Sequence, residues 1–227
     1  MNVAQLASAM EDAGTVDDRG PYDLPWVFKV IDSKPVTNPK QKAALATLRS
    51  WVASGAHRID RNKNGVYDDA QAVRIIDAWW PRLVTAEFEP TLGQRAFDAV
   101  HGMIAFDDPN RIQHLGSAFD GGWYGYVQKD LRSLLGEKVR GPYSRVYCGK
   151  GKLGACRAAM LSSLTDALAH SSDAELYPDG GCTEFGGIHA DAQACADTIH
   201  HRALGAVTIP PVPWVNRPTF QQAVQVK

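Results

Sequence analysis

Apolar residues recur every three or four positions through most of the chain, which predicts a mainly α-helical fold. One helix should begin at Asn38 and Pro39, because asparagine caps helix N-termini and proline suits the first turn. A second helix should begin near Asp68 or Asp69, and we expect Pro81 to end or kink it. Further helical segments are predicted within residues 2–13, 88–106, 127–135 and 154–170.

Two strand-like runs, Ala206–Ile209 and Thr219–Val226, stand near the C-terminus and are joined by proline-rich chain. No other segment has a convincing strand pattern, and an isolated two-stranded hairpin is marginal in water. The runs form either an edge hairpin on the helices or strands of a sheet completed by other polypeptide. We therefore predict a mainly α fold with a short C-terminal β element, namely a helical region at 1–202 and terminal β-strands at 203–227.

Within residues 107–125 glycines stand beside aromatic side chains, so we expect this stretch to form a packed, irregular loop. Long loops without regular structure usually carry a function or support a site. Trp123, Tyr124 and Tyr126 could line a pocket there, although core packing is the simpler interpretation.

The charge balance excludes some classes of partner. With 24 basic and 25 acidic residues the net charge is −1, which gives no basic surface for nucleic acid and no polybasic membrane patch. No apolar run approaches the ~20 residues of a membrane span. The first residues lack the charged and apolar regions of a signal peptide. We expect neither nucleic acid nor a membrane as a partner.

Four cysteines, an even number, permit two disulfides with three connectivities. Pairing of neighbours in the sequence is the simplest connectivity, and disulfides would indicate an exported protein. A zinc site using Cys182 and Cys195 with His189 and His200 or His201 is an alternative of unusual spacing. The cysteines are Cys148, Cys156, Cys182 and Cys195.

Residues 60–71 match a twelve-residue calcium loop at five positions, with glycine at the sharp turn. Gln71 occupies the twelfth position and cannot act as a bidentate carboxylate, so the affinity for calcium should be low. The alternative is a purely structural turn, in which the Asp and Asn side chains bond to the backbone. The candidate ligands are Asp60, Asn62, Asn64, Val66 through its carbonyl, and Asp68.

No residue of the chain is assigned a catalytic role. The Gly116-Ser117 bond is of the kind that some self-cleaving hydrolases use, but no obvious β-strand follows Ser117 to present it. The chain contains no Gly-x-Ser-x-Gly elbow, His-Glu-x-x-His motif or phosphate-binding glycine loop.

Several segments together resemble the C-terminal part of the β-subunit in the penicillin acylase family of N-terminal-nucleophile amidohydrolases. The order and spacing are similar over nearly the whole chain, and the C-terminal motif is the most specific. The matching segments are Leu48-Arg-Ser-Trp51 with Gly55 and Arg58, Asp60-x-x-x-Asn-Gly-x-Tyr67, Gly116–Tyr126, Lys129-Asp-Leu-Arg132, Tyr147-Cys-Gly149, Cys156-Arg157 and Pro213–Gln222.

The resemblance implies an αββα core whose sheet the terminal strands would complete. It also implies hydrolysis of acyl amides such as β-lactam side chains, acyl-homoserine lactones or acylated peptides. The family's nucleophile is the first residue of the β-chain, usually serine, whereas this sequence starts Met1-Asn2. No catalytic residue of the family therefore transfers to a position here.

We accordingly expect a C-terminal segment of such an amidohydrolase, inactive alone and exported as part of the full-length protein. Its partners would be the α-segment and the N-terminal part of the β-chain, and its terminal strands could cause self-association. The alternative is a stand-alone binding or interaction module stabilised by calcium.

Overall fold

The computed structural model describes residues 2–104, 123–142, 144–177 and 192–197. This part of the chain is mainly helical, as the apolar spacing predicts, and apart from one isolated bridge between Val16 and His57 it contains no strand pairing. The α-helices are α1 (Val3–Gly14), α2 (Leu24–Ile31), α3 (Pro39–Ala53), α4 (Ala70–Leu92), α5 (Gln94–Ile104), α6 (Tyr124–Leu134), α7 (Leu153–Ala169), α8 (Asp173–Leu176) and α9 (Ala192–Ala196). A π-helical turn covers Arg19–Asp23, and a 3-10 turn covers Cys148–Gly151.

Local capping chemistry sets the start and end of α3 as predicted. The Asn38 side chain accepts hydrogen bonds from the amides of Lys40 and Gln41, and Pro39 is the first helical residue. After the last residue of the helix, Gly55 takes a φ of 105°, a value that favours glycine.

Helix α4 is the central element, and its apolar face packs along α7. Its buried residues include the predicted stripe, and the Trp79 indole donates to Ser163 Oγ of α7 at 2.9 Å. The helix runs through Pro81 to Leu92, so Pro81 does not end it, and of the two predicted outcomes the kink stays a prediction. Dense burial on both sides of Pro81 outweighs the cost of about 3 kcal/mol that proline imposes inside a helix. The buried stripe is Ala72, Val73, Ile76, Trp79 and Trp80.

The predicted irregular loop at 107–125 lies outside the described residues except at its end. There the prediction is wrong, because α6 begins at Tyr124 and includes Gly125. Trp123, just before α6, is buried against Phe88 and Phe97, so it belongs to the core. The predicted terminal β-strands at 203–227 lie outside the described residues.

None of the helices in the described part of the chain combines the length and the apolar character that a membrane span requires.

Candidate functional site

The loop between α3 and α4, which carries the candidate calcium ligands, is closed by side-chain oxygens that accept backbone amides. Asp60 accepts from the amides of Asn64 at 3.1 Å and Gly65 at 2.7 Å. Asn62 accepts from the same Asn64 amide at 3.0 Å, and the Asn64 side chain accepts from the Val66 amide at 2.9 Å. These bonds are the structural turn that the sequence offers as an alternative to calcium. They leave each oxygen a second lone pair, so they do not exclude a metal.

The oxygen donors of this loop are of the types that calcium prefers, but the loop offers little negative charge to balance the ion. Asp68, one of only two carboxylates among the candidate ligands, pairs with the Arg61 guanidinium at 2.7 Å. Gln71 lies exposed on α4 and adds no charge. No group of three or more His, Cys, Asp or Glu side chains suited to a metal occurs in the described ranges, but amide and carbonyl oxygens also bind calcium. Calcium binding at this loop therefore stays a prediction.

A buried ion network, defined by Asp17, Arg19, Arg58, Asp77 and Asp197, lies next to this loop. Arg58 donates to Asp17 at 3.0 Å, to Asp197 at 2.6 Å and, through a short bond, to Asp77. Arg19 donates to Asp17 at 2.6 Å and to Asp77 at 2.8 Å. All five side chains are at most 1% exposed. The network joins the end of α1, the π-helical turn, the Arg58 segment, α4 and the residue after α9.

Two buried tyrosines extend the ion network as hydrogen-bond donors. The Tyr67 hydroxyl donates to Asp197 at 2.9 Å, and the Tyr177 hydroxyl donates to Asp77 at 2.8 Å. Burial, reinforced by the charges of Asp197 and Asp77, raises the pKa of both phenols well above the usual value. Both hydroxyls therefore remain protonated and keep their bonds to the carboxylates.

The charges of the ion network stabilise one another. Burial opposes the charged form of Arg58, but Asp197, Asp77 and Asp17 outweigh it and raise the Arg58 pKa well above its ordinary value. Burial likewise opposes ionisation of Asp17, but Arg19 and Arg58 outweigh it and lower the Asp17 pKa. A guanidinium with so high a pKa stays charged, so Arg58 keeps its bonds to the three carboxylates and the network holds separate segments of the chain together.

A second buried polar group, the carboxyl cluster of Asp23, Glu87 and Asp130, has no compensating cation bonded to it within the described residues. Burial, together with the nearby charges of Asp130 and Asp23, raises the pKa of Glu87 well above its usual value. Burial also raises the pKa of Asp23 well above its usual value. Asp130 accepts hydrogen bonds from the amides of Tyr147 at 2.7 Å and Cys148 at 2.8 Å. The surroundings of the Glu87 carboxyl therefore favour its neutral form.

The segment that Asp130 caps is closed by a disulfide. Cys148 and Cys156 are bonded, as pairing of neighbours predicts. Gly149 has a φ of 58°, and a Cβ there would collide with the Cys156 amide nitrogen, so only glycine fits. Cys195 is disulfide-bonded and cannot supply the thiolate of the alternative zinc site. Cys182 lies outside the described residues, as do His189, His200 and His201.

A hydroxyl beside an imidazole is the nearest approach to a catalytic pair in the described part of the chain. Thr15 Oγ1 and His57 Nδ1 are 2.8 Å apart, next to the Val16–His57 bridge. No carboxylate within the described residues orients this imidazole, so the third member of a nucleophilic triad is missing. Ser117 lies outside the described residues.

Sequence patterns identified the candidate loop but not the ion network or the carboxyl cluster. One signal was present, because Glu87 follows Val73, Ile76, Trp80 and Leu83 at helical spacing and so stands on the apolar face of α4. A carboxyl at a core position of a helix indicates a buried polar cluster. The residues that complete the ion network and the carboxyl cluster from other parts of the chain show no comparable signal in the sequence.

Comparison with known proteins assigns no family to the chain. A scan against models of protein families finds no match, and a search of curated proteins likewise finds none.

Proposed function

We propose that this chain is the helical C-terminal portion of a penicillin-acylase-like amidohydrolase. In that protein it would support an acyl-amide site built by other segments rather than carry the nucleophile itself. The observation that supports the proposal is the position of the residues that resemble the family, because those within the described part of the chain hold loops and helix ends in place.

Three of these residues meet around the ion network. Trp51 is fully buried, and its indole donates to the His57 carbonyl at 2.9 Å. Arg58 bonds three carboxylates, and Tyr67 bonds one of them, Asp197. These contacts fix the chain on either side of the candidate calcium loop.

Two other residues of the resemblance hold the disulfide segment. Asp130 binds the two amides at the start of that segment. Arg157, next to Cys156, donates to the carbonyls of Ile31 at 2.7 Å, Lys34 at 2.9 Å and Pro35 at 2.9 Å. One arginine thereby ties α7 to the chain that follows α2. The Cys148–Cys156 disulfide supports an exported protein, in keeping with this family.

An amidase assay tests the proposal in two steps, with chromogenic phenylacetyl and long-chain acyl amides as substrates. The purified 227-residue chain should show no turnover, because no residue in it matches the family's nucleophile. Turnover should appear when the upstream polypeptide that the proposal requires, namely the α-segment and the N-terminal part of the β-chain, is supplied in trans. Turnover by the chain alone, or none after addition of the upstream polypeptide, would contradict the proposal.

A stand-alone calcium-stabilised binding module is the second candidate. It is favoured by the five oxygen donors that the sequence places on the loop after α3, three of which are carbonyl or amide oxygens that calcium accepts. A chain that remains a stable monomer, ignores the upstream polypeptide and melts at a higher temperature with calcium would favour this candidate. Sedimentation also tests self-association through residues 203–227, which stays a prediction.

A further inference from the structure

An open cleft of about 380 Å³ lies beside α6, far along the sequence from the candidate calcium loop. Its volume falls within the range of about 300–1,000 Å³ that is common for small-molecule sites. Helix α4 contributes one aromatic ring, α6 contributes three side chains, and the chain before the disulfide contributes the rest. The lining residues are Phe88, Tyr126, Lys129, Asp130, Gly141, Pro142, Ser144, Arg145 and Tyr147.

The aromatic wall of this cleft is fixed before any ligand arrives. The Tyr147 amide donates to Asp130 at 2.7 Å, and Thr91 Oγ1 donates to the Tyr147 carbonyl at 2.8 Å. The Tyr147 ring lies 5.5 Å from the ring of Phe88, which in turn lies 4.8 Å from the buried Trp123 ring. A wall held in this way loses little conformational entropy when a ligand binds.

The cleft also carries positive charge that no acidic side chain of the described residues neutralises by an ion pair. Lys129 Nζ donates to the neutral Ser144 hydroxyl at 2.7 Å, and Arg145 is exposed. Of the nearby acids, Asp130 also lines the cleft but forms hydrogen bonds with two backbone amides rather than an ion pair with either cation, and Glu137 pairs with Arg132 at 2.7 Å. Two cations therefore border an aromatic wall.

We propose that this cleft binds a small carboxylate that bears an aromatic ring. The carboxylate lies at Lys129 and Arg145, and the ring lies against Tyr126, Phe88 and Tyr147. Arginine and lysine bind carboxylates through charge-assisted hydrogen bonds, and aromatic rings stack in offset or edge-on arrangements. The inference is independent of the proposed amidohydrolase role, since it requires no hydrolysis.

Titration of the full chain at low salt tests this proposal with 3-phenylpropionate, its neutral amide 3-phenylpropionamide, and inorganic phosphate as probes. We expect saturable binding of the acid at about millimolar concentration or below, and at least about tenfold weaker binding of the amide and of phosphate. Arg145→Gln and Tyr126→Ala should each weaken binding of the acid about fivefold or more. Arg49→Gln is the matched control, because Arg49 borders a different cleft and pairs with Asp32 at 2.8 Å.

Each of the other possible outcomes contradicts the proposal that this cleft binds an aromatic carboxylate. Equal binding of acid and amide removes the role of the cations, and equal binding of acid and phosphate removes the role of the aromatic wall. Loss of binding in Arg49→Gln would indicate non-specific attraction by positive charge. If a cleft variant fails to fold, NMR of the unaltered chain decides, because ligand-induced shifts must appear at Tyr126 and Tyr147 and shifts confined to other regions overturn the proposal.

Discussion

Two buried polar clusters share helix α4 but solve the problem of buried charge in opposite ways. Asp77 of α4 lies in the ion network, where two guanidinium groups and a tyrosine hydroxyl bond to its carboxylate. Glu87, ten positions further along the helix, lies in the carboxyl cluster, where no N–H donor of the described residues reaches its oxygens. The ion network neutralises charge with charge, whereas the carboxyl cluster does so by keeping a proton. The partners that the fold supplies, rather than the helix itself, decide the state of each carboxyl.

The largest expected effect comes from removing the shared cation of the ion network. Among the described residues, Arg58→Met leaves the three buried aspartates of the network with the Arg19 guanidinium, and we expect the free energy of unfolding to fall by about 3–5 kcal/mol. Arg49→Met is the control, because the exposed Arg49–Asp32 pair should contribute at most about 1 kcal/mol. Urea denaturation at pH 7 measures both variants. Equal losses would show that the ion network is worth no more than a surface pair.

The same amide substitution should act in opposite directions at the two positions of α4. Asp77→Asn removes the anion that two guanidinium groups bond and should destabilise the fold by about 3 kcal/mol or more. Glu87→Gln replaces a carboxyl that burial already keeps neutral and should stabilise the fold at pH 8 by about 1 kcal/mol. Urea denaturation of both variants measures the two signs. A loss of stability in both variants would contradict the distinction between the clusters.

The pH dependence of stability follows from the pKa shifts of Glu87 and Asp17. As the pH rises above the ordinary glutamic acid value of 4.5, the unfolded chain loses the Glu87 proton while the folded chain keeps it. Stability therefore falls with rising pH until the folded pKa is passed, and Glu87→Gln should flatten this fall. Asp17, whose pKa is lowered from 3.8, has the opposite dependence, because its contribution is lost as the pH falls through its folded pKa.

Loss of the disulfide should have the next largest effect on stability, since the disulfide anchors the segment that Asp130 caps. Cys148 and Cys156 are 8 positions apart, and closing so short a loop stabilises a fold by about 2.5 kcal/mol in the chain-entropy view. Replacing both cysteines by alanine should lower the free energy of unfolding by about that amount and weaken the link between Asp130 and the Tyr147 and Cys148 amides. Denaturation measures the loss of stability, and hydrogen exchange at those two amides measures the local loosening. Unchanged exchange there would show that Asp130 holds the segment without the disulfide.

Local patterns were enough to predict the helices but not the clusters. The Asn38 cap, the Gly55 stop and the stripe of α4 depend on residues at most four positions apart, which a sequence displays directly. Arg58 instead meets Asp17 from 41 positions away and Asp197 from 139 positions away, and no spacing rule reports such a meeting. Pro81 shows the converse, because packing across the fold overrode a local helix-breaking signal.

The smallest expected change in stability is the one that calcium causes at the candidate calcium loop. This loop lies at the protein surface, in contrast to the two buried clusters. The carboxylates among its candidate ligands are Asp60, which accepts backbone amides, and Asp68, which already pairs with Arg61. With no third carboxylate in the ligand set, calcium should bind at millimolar strength, and 10 mM calcium should raise stability by about 1 kcal/mol, a few degrees in melting temperature. Asp60→Asn should abolish the calcium-dependent rise, whereas Asp69→Asn, at the start of α4 and outside the ligand set, should leave it intact. Thermal denaturation with calcium and with a chelator makes the measurement. An equal melting temperature in both would assign the loop a structural role only.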